Sequence, residues 1–228
     1  MTQRLRVWFR KGERVRFISH LDVLRYWERA IRRAGLPLSY SQGFTPHPKL
    51  AFAGPLPLGF TAEAEVMDVT LDERVDLEEF RERLSRQTTQ DLEFVDAVEV
   101  PLSTPPPQAL VLWADYRVDL PSCPVEKAQA AVADFLARKE FPWTEERKEK
   151  SRTYDLRAAV ASLAAEPLDG GTRLTMRLRA SQEMTARPEQ LLAAILPGYE
   201  PAGICRTAII LDEPSPAREA WRRKGRFE

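Results

Sequence analysis

The stretch Arg4-Leu5-Arg6-Val7-Trp8-Phe9-Arg10 places Leu5, Val7 and Phe9 at one parity and Arg4, Arg6, Trp8 and Arg10 at the other. A period of two marks a half-buried strand, here with an apolar inner face and a cationic outer face. After a Lys11-Gly12 turn, Val15 and Phe17 keep the apolar parity and Arg14 and Arg16 the basic one, so the strand pattern continues. Ser19 then caps a helix, with Asp22 three residues on in a variant of the capping box. Leu21, Leu24, Trp27, Ile31 and Ala34 form its buried stripe and leave Arg25, Arg29, Arg32 and Arg33 toward solvent. Gly35 stops the helix, and Pro37 forbids its continuation.

Working outward, Leu36 to Phe60 is turn-rich, with Gly43, Pro46, Pro48, Gly54, Pro55, Pro57 and Gly59 around a short second strand. Met67, Val69 and Leu71 share a parity in a strand from Glu65 to Leu71. Asp76 and Glu79 open a helix with the stripe Leu77, Phe80 and Leu84, and Leu92 to Val100 reads as a strand. This is the order βαββαβ. Pro101 to Pro107 is a proline-rich linker, after which the order repeats: a strand over 110–120, a helix from Pro124, a strand over 172–179, a helix from Pro188 and a strand over 204–211. The expected fold class is therefore α+β, with two tandem ferredoxin-like halves built on antiparallel sheets that leave one face free. Residues 1–101 form the N-terminal half, 108–213 the C-terminal half with an insert near 140–166 of helix or strand, and 214–228 a basic tail carrying Trp221 and Phe227.

The chain has 228 residues, 43% of them hydrophobic and 30% charged, which excludes a disordered polymer. It has no uncharged apolar run of membrane-spanning length. Two cysteines, Cys123 and Cys205, are too few for a disulfide framework or for an iron–sulfur cluster held by this chain alone. A soluble, cytoplasmic protein is the expectation. The net charge of +0 conceals a division: residues 1–60 hold 11 basic and 3 acidic side chains, residues 61–106 hold 4 and 13, and the remainder 19 and 18. The first block is as basic as many nucleic-acid-binding modules, unless the second block neutralises it within the fold. Neither GxGxxG nor GxxxxGK[ST] occurs, so no nucleotide cofactor is expected.

Both histidines, His20 and His47, lie in the first 50 residues. If the loop from Ser39 to Lys49 came beside the helix start, the two imidazoles would make an acid–base pair, with Lys49 and Arg16 near a charged oxygen. They would equally serve to hydrogen-bond the loop to the helix cap. A metal on His20, His47 and Asp22 lacks any ligand spacing to support it, and none is expected. The same loop offers hydroxyls, an amide, glycine-exposed N–H groups and a lysine for phosphates, with Tyr40 and Phe44 for stacking.

The run from Phe17 to Arg25, continued by Glu28 to Ala34 and by Leu36 to Lys49, resembles the signature of the bacterial radical-SAM-linked proteins. Lys150 to Arg157, Arg187-Pro188-Glu189 and Arg206-Thr207 fit the same pattern. That family has no assigned function and occurs alone or fused behind a B12-binding radical SAM enzyme. The resemblance implies a partner that carries the cluster and the radical chemistry, and family genes beside a ribonuclease of the E/G type point toward RNA. A looser similarity is to the tandem ferredoxin-like RNA-binding proteins of CRISPR systems, some of which cut RNA with a histidine and no metal.

The leading expectation is an RNA-binding accessory module, without catalysis of its own, that presents rRNA or tRNA to a radical SAM partner acting in trans. Arg4, Arg6, Arg14, Arg16, Arg25, Arg29, Arg32 and Lys49 would neutralise phosphates, and His20, Tyr40, Gln42, Phe44 and His47 would shape the contact. The alternatives are a metal-independent endoribonuclease using His20 and His47, and a protein-only adaptor of a radical SAM enzyme.

Overall fold

A computed structural model of the chain describes residues 1–147 and 150–212. The expected basic tail, 214–228, lies outside them. The chain divides into two compact units, one of Met1–Val111 with the residues from Leu211, the other of Leu112–Ile210. Both are α+β.

The first unit runs β1 (Gln3–Lys11), α1 (His20–Arg33), β2 (Leu50–Phe52), β3 (Phe60–Leu71), α2 (Leu77–Ser85), β4 (Phe94–Glu99) and the single helical turn α3 (Pro107–Leu110). Its strands lie in the order β4-β1-β3-β2, and the β1–β4, β1–β3 and β2–β3 pairings are antiparallel. Both longer helices cover one face: Leu5, Val7 and Phe9 of β1 pack with Val23, Trp27, Ala30 and Ile31 of α1, Phe80 and Leu84 of α2, and Met67, Val69 and Leu71 of β3. Full burial of each Val, Leu, Ile, Phe or Met side chain among them is worth about 1.5–3 kcal/mol. Ser19 caps α1 in a reciprocal box with Asp22, and Gly35, at φ +65°, closes it with Leu36 N–H donating back to the Ile31 carbonyl. Asp76 caps α2 by accepting from the N–H groups of Glu78 and Glu79.

Three expectations fail here. The chain from Gly12 to Phe17 is not a strand. Lys11 folds its ammonium back onto the carbonyls of Arg16 (2.9 Å) and Ile18 (3.5 Å), so the backbone turns through a 3₁₀ step at Glu13–Val15 and Phe17 is left 69% exposed. Leu21 is also exposed, because the buried stripe of α1 begins at Val23. Most importantly, the arginine parity of β1 is no water-facing surface: Arg6 and Trp8 are buried, with Val66 and Asp68 beside them on β3. Alternation reports which residues share a face, and it is silent on whether that face is covered.

The second unit runs β5 (Val111–Pro121), α4 (Val125–Ala137), β6 (Pro142–Arg147), β7 (Lys150–Asp155), β8 (Val160–Leu168), β9 (Gly171–Arg179), α5 (Pro188–Ile195) and β10 (Gly203–Leu211). Its sheet order is β10-β5-β9-β8. The insert is a separate antiparallel hairpin, β6 with β7. On β5 and β9 the inward residues Ala114, Tyr116, Val118, Leu174, Met176 and Leu178 are buried. On the outer side Arg173 and Arg177 each grip an aspartate through two hydrogen bonds, Asp119 at 2.7 and 2.8 Å and Asp115 at 2.6 and 2.7 Å.

Candidate nucleic-acid interface and cleft

The basic residues of the first unit separate into two groups once carboxylates are considered. Those of the strand are occupied. Arg6 is 0% exposed and donates to Asp68 through Nε (2.7 Å) and Nη2 (3.0 Å). Arg4, 13% exposed, donates to the carbonyls of Pro101 (2.6 Å) and Thr104 (2.5 Å) and lies 3.7 Å from Asp68. Arg10 pairs with Glu93 at 3.1 Å. Arg4 and Arg6 are therefore withdrawn as phosphate ligands: the acidic second block neutralises them, and a buried, bidentate guanidinium cannot also reach a polyanion.

The helix arginines are different. Arg25, Arg29 and Arg32 are exposed on α1. Among the described residues Arg25 reaches only Asp22 of its own helix, at 3.6 Å, and Arg29 and Arg32 form no ion pair. Arg14 is likewise exposed and outside any ion pair among the described residues, whereas Arg16 pairs with Glu13 and lies over the Phe17 ring at 4.7 Å.

The loop from Ser39 to Lys49 is clasped rather than loose. Ser39 N–H donates to Thr70 and Lys49 N–H to Ser39; Ser41 N–H donates to the His47 carbonyl (2.8 Å), and His47 N–H returns to Ser41 Oγ (2.9 Å). Tyr40 pairs across the loop with Pro48, and its hydroxyl donates to Glu28 of α1 at 3.0 Å. That contact hangs the loop on the helix beside Arg32, one turn further along. Burial, followed by the hydrogen bond to Glu28, pushes the Tyr40 phenol above its ordinary value. Gln42, Gly43, Phe44, Thr45, His47 and Lys49 remain exposed, Phe44 completely so. Tyr40 is accordingly an anchor, while Gln42, Phe44 and Lys49 are free to meet a ligand.

The two histidines do not share a site. His47 sits on the exposed loop, whereas His20 lines a shallow cleft with Lys11, Glu65, Phe52, Ile18 and Leu56. The His20 ring stands edge-on to Phe52 at 4.9 Å. Burial lowers its pKa from the usual value, and the nearby Glu65 carboxylate opposes that shift without cancelling it. His47 is not among the residues lining that cleft, where the titratable neighbours of His20 are Lys11 and Glu65, 2% and 3% exposed. Neither was singled out from sequence, although the signal existed: Lys11 continues the inward parity of Leu5, Val7 and Phe9, and Glu65 that of Met67, Val69 and Leu71. A charge at an inward position is the informative exception.

Among the described residues, no group of three or more His, Cys, Asp or Glu side chains is placed to hold a metal ion, and no helix is long and apolar enough to cross a membrane. No curated protein matches the chain. Among solved structures, the chain is similar to one in the "Crystal Structure of a Cbf5-Nop10-Gar1 Complex", at 14% identity and a TM-score of 0.49 over 90% of this chain and 48% of that one. It thus spans about half the length of that structure's chain. A second likeness, the "Crystal Structure of an Unknown Protein from Galdieria sulphuraria", has 14% identity and a TM-score of 0.27, covering 86% of this chain and 88% of that one. A family model described as "Uncharacterized protein conserved in bacteria (DUF2344)" matches residues 4–188, most of the chain, and the protein belongs to that family.

Proposed function

We propose that the protein is an RNA-binding accessory module, built of two ferredoxin-like units in tandem, that presents a structured RNA to a radical SAM enzyme acting in trans. The fold part of this reading is supported by the matching strand order within the two units, fourth strand, first, third, second, each with two helices in the βαββαβ sequence once the β6–β7 hairpin is set aside. The radical SAM partner is supported by the resemblance of Phe17 to Lys49 to the radical-SAM-linked signature.

One observation carries the RNA reading: the α1 arginines stand in water without acidic partners from the second block, beside a hydrogen-bonded loop that offers Lys49, Gln42 and a fully exposed Phe44. Cations beside a bare aromatic suit a flexible polyanion with stacking bases. RNA would lie along the helix and the loop, since Arg6 and Trp8 are shut away on the sheet.

The test is a fluorescence titration of labelled tRNA and rRNA fragments at several salt concentrations. Each phosphate neutralised on a single strand adds about 0.7 to the steepness of log K against log salt. Arg25→Glu/Arg29→Glu/Arg32→Glu should therefore weaken binding and flatten that plot by about 2. Affinity absent at low salt, or unchanged in this variant, refutes the reading.

A further inference from the structure

Phe44 stands wholly in water at the tip of the 39–49 loop, and among the described residues its ring meets no other aromatic ring and no cation. A lone exposed apolar residue is commonplace; what sets this one apart is its mounting. Below it Ser41 and His47 exchange two hydrogen bonds, and Tyr40 hooks the stem of the loop onto Glu28 of α1. Gly43, at φ +129°, takes a backbone conformation that residues with side chains rarely adopt, and so turns the chain just before the ring. We propose that Phe44 makes the interface selective for unpaired RNA: the α1 arginines hold the phosphates of one strand while the ring takes the open face of an unpaired base. This deepens the RNA reading above and rests on it.

The selection follows from what each form of RNA offers a phenyl ring. In a duplex the bases are stacked on one another, and the A-form major groove is too deep and narrow for side chains to read. A ring arriving at that surface finds sugars and phosphates, whose charge it cannot match. An unpaired base offers a free π face. Every base has one, so the ring sorts RNA by pairing and not by sequence. The cations set the line of the strand: Arg25, Arg29 and Arg32 are exposed on one face of α1 and span roughly 10 Å of its axis. The line continues to the loop, because the Arg32 guanidinium is near enough to the Tyr40 phenol to act on its charge, and Lys49 is exposed where its N–H bonds the Ser39 carbonyl. Gln42 and Thr45, exposed on either side of Phe44, bring an amide and a hydroxyl that suit base edges. An apolar partner, protein or lipid, would cover the ring but leave these cations without counter-charges.

The experiment uses the full chain and one uridine-rich RNA carrying a single 5-iodouridine, either free or annealed to its complement, with both forms titrated at the same salt concentrations. The free strand should bind tighter than the duplex, and Phe44→Ala should cut that advantage about tenfold. The slope of log K against log salt for the strand should stay as it was, because the ring neutralises no phosphate. Phe44→Trp should restore the preference. Irradiation of the strand complex should attach the iodouridine at Phe44, within the tryptic peptide Ala34–Lys49, and the duplex should give no such adduct. Equal or tighter binding of the duplex, a preference that survives Phe44→Ala, or a crosslink confined to residues outside the loop overturns the selection by pairing and leaves the RNA reading intact. If neither form binds at low salt, both readings fall.

Discussion

Replacing Asp68 by alanine should destabilise the first unit more than any surface change. Arg6 has no exposed surface and gives two hydrogen bonds to this carboxylate, at 2.7 and 3.0 Å, while Arg4 lies 3.7 Å from it. Removing the anion leaves a guanidinium buried without its main counter-charge, which costs about 3–5 kcal/mol. At roughly 2–4 °C per kcal/mol for a chain of this size, the melting temperature should fall by about 6–20 °C in scanning calorimetry. The paired replacement Arg6→Met/Asp68→Leu removes both charges and fills the space with apolar atoms, so it should recover most of the loss. A melting temperature for Asp68→Ala within about 2 °C of the parent, well short of that cost, would refute the reasoning. So would a paired variant no better than the single one.

Three further outcomes are expected. Gly171→Ala would put a Cβ 2.3 Å from the Leu120 carbonyl oxygen and 2.9 Å from Pro121 Cα; the backbone must shift at a cost of about 1–3 kcal/mol, and hydrogen exchange should quicken in β5 and β9 while the core of the first unit keeps its protection. His20 should titrate below the ordinary imidazole value of 6.5. The folded state then gains stability from its neutral form above that pH and loses it as the pH falls through the lowered value; proton NMR reads this directly, because His47→Gln leaves one imidazole to follow, and a midpoint at or above 6.5 contradicts it. Arg173 holds the Asp119 carboxyl below the usual carboxylate range. That contribution is complete above the unfolded value of about 3.9 and disappears as pH drops through the lowered one, so Asp119→Asn should reduce the fall in urea midpoint over that acid interval, and an identical acid profile would count against the pair.

Local grammar made much of the architecture legible. Parity gave the inner face of β1, Ser19 and Asp22 gave the start of α1, and Gly35 gave its end, because each depends on residues within a few positions of one another. What stayed hidden depends on register. Arg6 and Asp68 stand 62 residues apart in sequence yet directly opposite across β1 and β3. Only that pairing turns an arginine read as a phosphate ligand into a structural ion pair. The division of the first 60 residues into satisfied strand arginines and available helix arginines is equally a tertiary fact. Net charges of +8 and −9 stand side by side in the sequence without saying which cation meets which anion. Lys11 and Glu65 were visible as breaks in an apolar parity, but the turn reading at Lys11-Gly12 absorbed the first, and the second stood at the edge of its strand.

The hydroxyl of Tyr40 on Glu28 has an entropic meaning for recognition. A dangling loop surrenders its freedom when it closes on a partner, and that surrender is subtracted from affinity. Here folding has already settled the stem of the loop against the helix and leaves the tip around Phe44 exposed. Because the phenol is pushed above its ordinary value, the tether keeps its proton throughout the neutral range. Tyr40→Phe would therefore be felt in how quickly a bound strand escapes, more than in how quickly it arrives.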